Sequence, residues 1–390
     1  MAALVHPQTH PTPTTTSSSP PAYALPPSFP PSIASPLAWT GADLADESYI
    51  YHLTPTDLGE IKSALAVFKS HGLNGDLATP STFPLPTLGA KLRALSTELY
   101  SGRGVCLIRG LERGMYEGEE GMVVFMGVQS YVARMKGRQD GRGNMIVHIT
   151  PSAYEEEANH ARHSMDSLPF HTEANGDILA WQTRAAAAEG GKCILSSAYT
   201  AYNLLANTCP EVIHTLAKPD WPFAYPTLHY RPILYHTSPH LLLNFSPSAL
   251  LSTPSHPRPA HLPVLSSAQI SALSALQAVA RATELHITTQ AGDLHFVNNL
   301  AIMHRRSAFS VAETPAAGGA GGMGGTGGER GEMEPKRHLV RMRLRCPEKG
   351  WKIPAELAPA WEEAFGEVGG REWHLFPMPE GYFPLRKYPE

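Results

Sequence analysis

The sequence Pro-Phe-His-Thr-Glu occupies residues 169–173 and sets a histidine and a carboxylate two positions apart. Alternate side chains of an extended strand project from the same face, so His171 and Glu173 can reach one ion. Far downstream, an apolar strand-like run at residues 292–304 ends in His304. Two histidines and one carboxylate on one octahedral face, with the other positions open, are typical of non-haem Fe(II) oxygenases. The pattern predicts a metal site made of these three side chains.

Composition limits the class of protein further. The chain has 390 residues, a formal net charge of −4 and 42% hydrophobic residues, enough for one large or two ordinary globular domains. The lack of basic tracts argues against nucleic acid or an anionic membrane surface as the main partner and leaves a small-molecule substrate. No apolar run of about 18 residues could span a bilayer, and the N-terminus lacks the basic start and apolar region of a signal peptide. We therefore expect a cytoplasmic protein without a membrane segment.

Cysteine usage agrees with a reducing compartment. The four cysteines are far apart and include no C-x-x-C pair, which disfavours both a disulfide scaffold and a zinc ribbon. They are Cys106, Cys193, Cys209 and Cys346.

Domain organisation is indicated by two low-complexity stretches. Residues 1–38 are dominated by Pro, Ser, Thr and Ala, a composition too poor in apolar surface to offset its ordering entropy, and we expect disorder there. Residues 39–390 are predicted to form a single domain, and its residues 314–335 form a flexible Gly-rich insertion.

Within that domain, many short strands alternate with Gly, Pro and Asn turns, and a few amphipathic helices intervene. This pattern favours an α+β, mainly β protein with a double-stranded β-helix (jelly-roll) core and flanking helices. Helices are predicted at residues 54–72, 87–100, 118–135, 198–207 and 266–285. Strands are predicted at residues 105–111, 144–149, 192–197, 227–235, 240–245 and 337–345. Residues 180–188 are rich in small side chains and are assigned no strand.

The strand at residues 337–345 carries an unusual set of charges. Its side chains alternate apart from Leu339, which places four arginines on one face: Arg337, Arg341, Arg343 and Arg345. Arginines along one strand face are suited to holding a carboxylate by paired hydrogen bonds.

Together these motifs resemble the TauD/TfdA family of Fe(II)- and 2-oxoglutarate-dependent dioxygenases, particularly fungal-type members. The matching pieces follow the family order over roughly residues 40–375. They are residues 102–105, 170–173, 190–191 with 196–197, 202–203, 292–293 with 298–299, 303–304 and 337–341.

The resemblance implies roles for individual residues. His171, Glu173 and His304 would bind Fe(II), and Arg337 would bind the distal carboxylate of 2-oxoglutarate. Arg341 would lie near the cosubstrate or a substrate anion. Cys193 stands where the family has a Ser or Thr that touches the cosubstrate. The implied chemistry uses O2 to decarboxylate 2-oxoglutarate to succinate and CO2 while a small organic substrate is oxidised, usually by hydroxylation.

Three departures from the family pattern are visible. Glu173 replaces the commoner Asp, Cys193 is a poorer hydrogen-bond donor than a hydroxyl, and the Gly-rich insertion lengthens the spacing between His304 and Arg337. We prefer Arg337 to Arg305 and Arg306 as the residue that binds 2-oxoglutarate, because only the later strand, which begins at Arg337, has side chains that alternate between its two faces.

Two other hypotheses stay open. One is a non-catalytic jelly-roll relative that acts as a ligand-binding or interaction module, and the other is a cupin-type metal enzyme that does not use 2-oxoglutarate.

Overall fold

The computed structural model describes residues 24–112, 114–116, 118–151, 164–224, 227–252, 258–310 and 337–373. Its strands are β1 (Ile50–His52), β2 (Val105–Arg109), β3 (Met135–Gly137), β4 (Val147–Ile149), β5 (Leu168–His171), β6 (Ile178–Ala185), β7 (Glu189–Gly190), β8 (Cys193–Ser197), β9 (Trp221–Phe223), β10 (His229–Arg231), β11 (Leu234–Thr237), β12 (His240–Leu243), β13 (Leu285–Ile287), β14 (Leu294–Asn298), β15 (Ile302–Arg306), β16 (Phe309–Ser310) and β17 (His338–Arg345). Its α-helices are α1 (Pro55–Ser70), α2 (Leu88–Ser101), α3 (Gly118–Val132), α4 (Ala198–Thr208), α5 (Pro210–Leu216), α6 (Pro247–Leu250), α7 (Ser267–Ala282) and α8 (Ala358–Phe365).

The larger sheet has seven strands in the order β1-β2-β14-β6-β17-β3, and β4 also pairs with β17. Its centre is β6, which pairs antiparallel with β14 on one side and β17 on the other. This strand was not predicted from the sequence. All residues of β6 except Arg184 are buried, so the apolar and polar alternation of a half-exposed strand is absent.

The smaller sheet has four antiparallel strands in the order β13-β8-β15-β5. Its inner strand β15 pairs with β8 from Ile302 opposite Ser197 to Arg306 opposite Cys193. On its other side β15 pairs with β5, the strand that carries His171. Two-stranded pairs, β9 with β10, β11 with β12 and β7 with β16, complete the β-structure of the described residues.

Helices flank the two sheets, and the five predicted ones appear as α1, α2, α3, α4 and α7 with ends displaced by at most three residues. Helix α1 begins with a capping box, in which the Thr54 hydroxyl accepts from the Asp57 amide and the Asp57 carboxylate accepts from the Thr54 amide. Helix α2 packs on α3 and β2, whereas α7 packs on α4, α5 and the smaller sheet. No helix within the described ranges is long and apolar enough to cross a membrane.

Residues 24–38 pack against the folded domain, whereas the sequence predicted disorder for all of residues 1–38. Four apolar side chains recur every fourth position in this segment and pack against the core: Leu25, Phe29, Ile33 and Leu37. The Ile33 backbone is held at both its amide and its carbonyl by the side chain of Asn203 in α4. The segment therefore belongs to the folded part of the chain. Residues 1–23 and the Gly-rich insertion at 314–335 lie outside the described residues.

The turn that leads into β14 depends on a glycine. Gly292 has φ +91°, and a Cβ built there would lie 1.4 Å from the backbone oxygen of Leu111. Its amide donates to the carbonyl of Thr183 in β6, at 2.6 Å. The close approach of two backbone segments and the left-handed conformation both require the absence of a side chain.

We expect Gly292→Ala to lower the free energy of unfolding by more than about 1 kcal/mol, because alanine is strained at positive φ and meets backbone atoms that cannot move aside. Urea denaturation measures the change. Gly59→Ala in α1 is the matched control, since its Cβ would meet nothing within 4 Å. That control should gain about 0.5–1 kcal/mol from helix propensity. An unchanged midpoint for Gly292→Ala would contradict the account of this turn.

Candidate metal centre

Strand pairing brings the three predicted metal ligands together. His171 ends β5, Glu173 follows two residues later, and His304 lies in β15 directly opposite His171. The two imidazole centroids are 4.1 Å apart, and one ligand atom from each of the three side chains lies within 4.8 Å of the others. In the described part of the chain this is the one group of three or more His, Cys, Asp or Glu with that geometry.

The protonation states of the two histidines suit a metal. His171 Nδ1 lies 2.9 Å from the carbonyl oxygen of Pro169, which can only accept, so Nδ1 carries the proton and Nε2 keeps its lone pair. Burial lowers the pKa of His171 and lowers that of His304 well below its ordinary value. Both rings are therefore neutral at physiological pH, which is the form that binds a metal ion.

Asn299 fixes the backbone that follows β5. Its side-chain oxygen accepts from the Glu173 amide at 2.8 Å, and its Nδ2 donates to the carbonyls of Glu173 and Gly176 at 3.1 and 3.0 Å. One amide group thus holds both ends of the turn from Glu173 to Gly176. Asn299 belongs to the Asn-Asn pair that matches the family pattern, but its hydrogen bonds to this turn could be recognised only in the fold.

The carboxylate of Glu173 lies between two arginines of β17. Arg341 Nη1 donates to Oε1, and Arg343 Nη2 donates to Oε2 at 3.2 Å. Burial by itself would raise the pKa of Glu173, but the charges of Arg341 and Arg343 hold it well below its ordinary value. Two neutral imidazoles and one ionised carboxylate are a donor set that fits a divalent first-row metal.

The triad opens into a cavity of 620 Å³ between the two sheets. Strand β6 contributes Leu179, Trp181, Thr183 and Ala185 to its wall, every second residue of the strand. The smaller sheet contributes the two histidines and Cys193. The cavity therefore has an apolar wall with a few polar groups, the usual make-up of a small-molecule site.

Arg337 is a buried cation of this cavity that has no hydrogen-bond or ion-pair partner among the described residues. Its side chain lines the wall, the residue is only 7% exposed, and it forms no hydrogen bond or ion pair with the described residues. Its guanidinium lies 5.0 Å from the ring centroid of Phe309, and burial lowers its pKa to about 10, so it stays charged at neutral pH. A buried cation without a partner is unfavourable unless an anion joins it.

Two neighbours shape the space beside that cation. Gly191 has φ +61°, and a Cβ there would lie 3.3 Å from Arg337 Nε, so any side chain would crowd the guanidinium. Burial raises the pKa of the nearby Cys193 thiol to about 12, which keeps it neutral. A neutral thiol leaves the positive charge of Arg337 uncompensated.

The alternative arginines are already engaged. Arg305 donates from Nε and Nη2 to the two carboxylate oxygens of Glu284 at 2.9 and 2.8 Å. Arg306 Nη2 donates to the backbone oxygens of Ser164 and Asp166 at 2.6 and 2.7 Å. Of the three candidates, Arg337 is the one with no partner among the described residues.

Comparison with known proteins places the chain in a family. The sequence model of the taurine catabolism dioxygenase TauD, TfdA family matches residues 69–319, and the chain belongs to this family. It is 31% identical over 361 residues to the taurine hydroxylase-like protein SAT17 of Stachybotrys chartarum, covering 88% of each chain. The predicted family membership is confirmed.

Solved structures share the fold. An asparagine oxygenase in complex with Fe(II), 2S,3S-3-hydroxyasparagine and succinate aligns with a TM-score of 0.57 at 16% identity, covering 78% of this chain and 98% of that one. The non-haem iron oxygenase OrfP in complex with Fe and α-ketoglutaric acid aligns with a TM-score of 0.53 at 16% identity, covering 76% and 93%. The mixed helix and sheet architecture is therefore that of the TauD-like oxygenases.

We expect Asn299→Ala to weaken Mn(II) binding about 10–100-fold, because the backbone carrying Glu173 loses its fixed position. Isothermal titration of metal-free protein with MnCl2 measures the affinity. Asn203→Ala is the matched control, since it removes two side-chain bonds to the Ile33 backbone far from the triad along the fold. Both variants should lose about 1–3 kcal/mol of stability, but only the first should lose metal affinity. Equal affinity in the two variants would refute the assigned role of Asn299.

Proposed function

We propose that the protein is an Fe(II)- and 2-oxoglutarate-dependent dioxygenase that oxidises, and in the usual outcome hydroxylates, a small organic substrate with formation of succinate and CO2. The observation that carries the proposal is the presence, in one cavity, of an open His-Glu-His triad and a buried, unpaired arginine. The triad accounts for the metal and the arginine for a dicarboxylate cosubstrate. Family membership supports the same conclusion.

His171, Glu173 and His304 would hold Fe(II). Two histidines and one carboxylate are the ligand set that non-haem Fe(II) oxygenases use. When bound, the iron supplies the redox chemistry that couples O2 and 2-oxoglutarate to oxidation of the substrate. The protein itself sets the protonation states of these ligands. Burial keeps both imidazoles neutral, and the two arginines beside Glu173 keep its carboxylate ionised.

Arg337 would bind the distal carboxylate of 2-oxoglutarate. A guanidinium presents a planar fork of N–H groups that matches a carboxylate with two parallel hydrogen bonds. The glycine at 191 leaves room beside the fork, and the neutral thiol of Cys193 does not repel the incoming anion. The apolar wall of β6 lowers access of water, which strengthens the ion pair.

The names of similar proteins favour a small polar molecule as the substrate. SAT17 is named a taurine hydroxylase-like protein, and the asparagine oxygenase structure holds 2S,3S-3-hydroxyasparagine. A cavity of 620 Å³ has room for a cosubstrate and a molecule of that size. We further propose that the two sheets form a double-stranded β-helix within a single domain. We also propose that the protein is cytoplasmic, because its four cysteines are all free thiols, as a reducing compartment favours.

The enzymatic proposal is tested by 2-oxoglutarate turnover. Protein loaded with Fe(II) under anaerobic conditions and then mixed with 2-oxoglutarate and O2 should form succinate, slowly even without the primary substrate. His171→Ala should abolish succinate formation and bind less than stoichiometric metal, because it removes one of three ligands. Stoichiometric metal in the wild-type protein without any succinate would instead favour the non-catalytic relative.

The role of Arg337 has its own test. We expect Arg337→Met to raise the KM for 2-oxoglutarate at least about 30-fold, the equivalent of the 2–5 kcal/mol lost when a buried charge pair is broken, while Mn(II) affinity stays unchanged. Arg103→Met, which removes an exposed arginine paired with Glu98, is the control and should leave the KM unaltered. A wild-type KM in Arg337→Met would refute the role of Arg337, and substrate oxidation that proceeds without 2-oxoglutarate and is unchanged in this variant would support a metal enzyme that does not use the cosubstrate.

A further inference from the structure

We propose that Arg343 is a positioning residue that holds the carboxylate of Glu173 for the metal, whereas Arg341 is the partner that leaves the carboxylate when a metal ion binds. The inference rests on the metal site of the proposed function and assigns opposite effects to two arginines that contact the same side chain. The family motif that matches residues 337–341 ends at Arg341, so it assigns no role to Arg343.

Arg343 is fixed in place independently of Glu173. Its Nη1 donates to the backbone oxygens of Arg138 and Gln139 at 3.2 and 2.8 Å. A guanidinium is planar and rigid, so anchoring Nη1 also fixes the direction of Nη2, which lies 3.2 Å from Glu173 Oε2. The anchor belongs to the strand and turn around β3 and does not depend on the ligand site.

Packing supports the same conclusion. Arg343 is 8% exposed, and Gly176, at φ +101°, lies so close that a Cβ there would be 3.3 Å from the Cβ of Arg343. Asn299 holds the carbonyl of Gly176 and the backbone of Glu173 in one turn. The stem of Arg343 therefore packs on the turn that carries the carboxylate, and its end bonds that carboxylate.

Arg341 lacks such an anchor. Among the described residues its guanidinium donates to Glu173 Oε1, and it has no pair of backbone acceptors like the carbonyls of Arg138 and Gln139 that hold Arg343. It also lines the cavity, so its guanidinium borders open space.

Arg341 also shares the cavity with the histidines. His171, His304 and Arg341 line its wall, and Arg343 is not among the residues that line it. We therefore assign Oε1, the oxygen that Arg341 contacts, to the metal ion, and Oε2 to Arg343. A divalent ion at that position competes with Arg341 for Oε1 and repels its charge, while Oε2 can keep its bond to Arg343.

The test compares Mn(II) affinities of Arg343→Met and Arg341→Met by isothermal titration of metal-free protein. Methionine removes the charge and the hydrogen bonds but keeps an unbranched apolar stem. We expect Arg343→Met to weaken Mn(II) binding about 10–100-fold, as loss of an outer-shell partner typically does. Arg341→Met should bind Mn(II) as tightly as the wild type or more tightly, because a competitor for Oε1 is gone.

A role for the arginine charges alone predicts a different pair of affinities. If only charge mattered, both variants would bind Mn(II) more tightly, and the inference would be overturned. If both arginines held the carboxylate, both variants would bind more weakly, which would also overturn it. Arg343→Lys keeps the charge without the fork: weakened binding supports positioning, and wild-type affinity refutes it. This variant also decides the question if Arg343→Met does not fold.

The failure of this inference differs from a failure of the proposed function. Wild-type protein that binds no Mn(II) would remove the metal site itself. A different outcome would overturn only the positioning role of Arg343. In that case the wild-type protein binds Mn(II), His171→Ala abolishes the binding, and Arg343→Met binds Mn(II) with unchanged affinity. Thermal unfolding of each metal-free variant shows whether a change in affinity accompanies a loss of fold.

Discussion

The antiparallel pairing of β15 with β5 is the constraint on which the site depends. It sets His304 opposite His171 although 133 residues separate them in the chain. Side chains of a strand alternate between its two faces, so a slip of one residue in this pairing would turn His304 away from the cavity. The register is fixed on the other side of β15 by five consecutive pairs with β8. The ladder of the smaller sheet thus positions the two histidines of the proposed metal site.

The charged side chains around the cavity leave an excess of positive charge at both of its ends. Glu173 is bonded to two arginines, and a third, Arg337, has no carboxylate partner among the described residues. Buried ionised groups are tolerated when they are paired and costly when they are not. The excess positive charge therefore favours the entry of an anion at Arg337, whereas the donors for a metal cation are the ionised carboxylate of Glu173 and the two neutral imidazoles.

Much of the site could be predicted from the sequence because its residues lie on extended strands with regular alternation. His171 and Glu173 share a face by their spacing, and the arginines of β17 share a face for the same reason. The contact between Glu173 and Arg343 could not be predicted, since it depends on how the turn after β5 meets a strand 170 positions further along. Strand β6 was missed because burial of both faces removes the periodic signal, and the apolar residues of 24–38 were obscured by the prolines and serines around them.

The packed segment at residues 24–38 also matters for handling the protein. Its apolar side chains pack against the core, Phe29 contacts Tyr202 of α4, and the carbonyl of Leu37 accepts from the buried hydroxyl of Ser197 at the end of β8. A recombinant chain begun at residue 39, where the low-complexity composition ends, would uncover that part of the core and remove the acceptor of the Ser197 hydroxyl, whose oxygen would keep the Thr200 amide as its partner. Expression from a start upstream of residue 24 keeps the segment, and with it these contacts at the end of the strand that leads into the cavity.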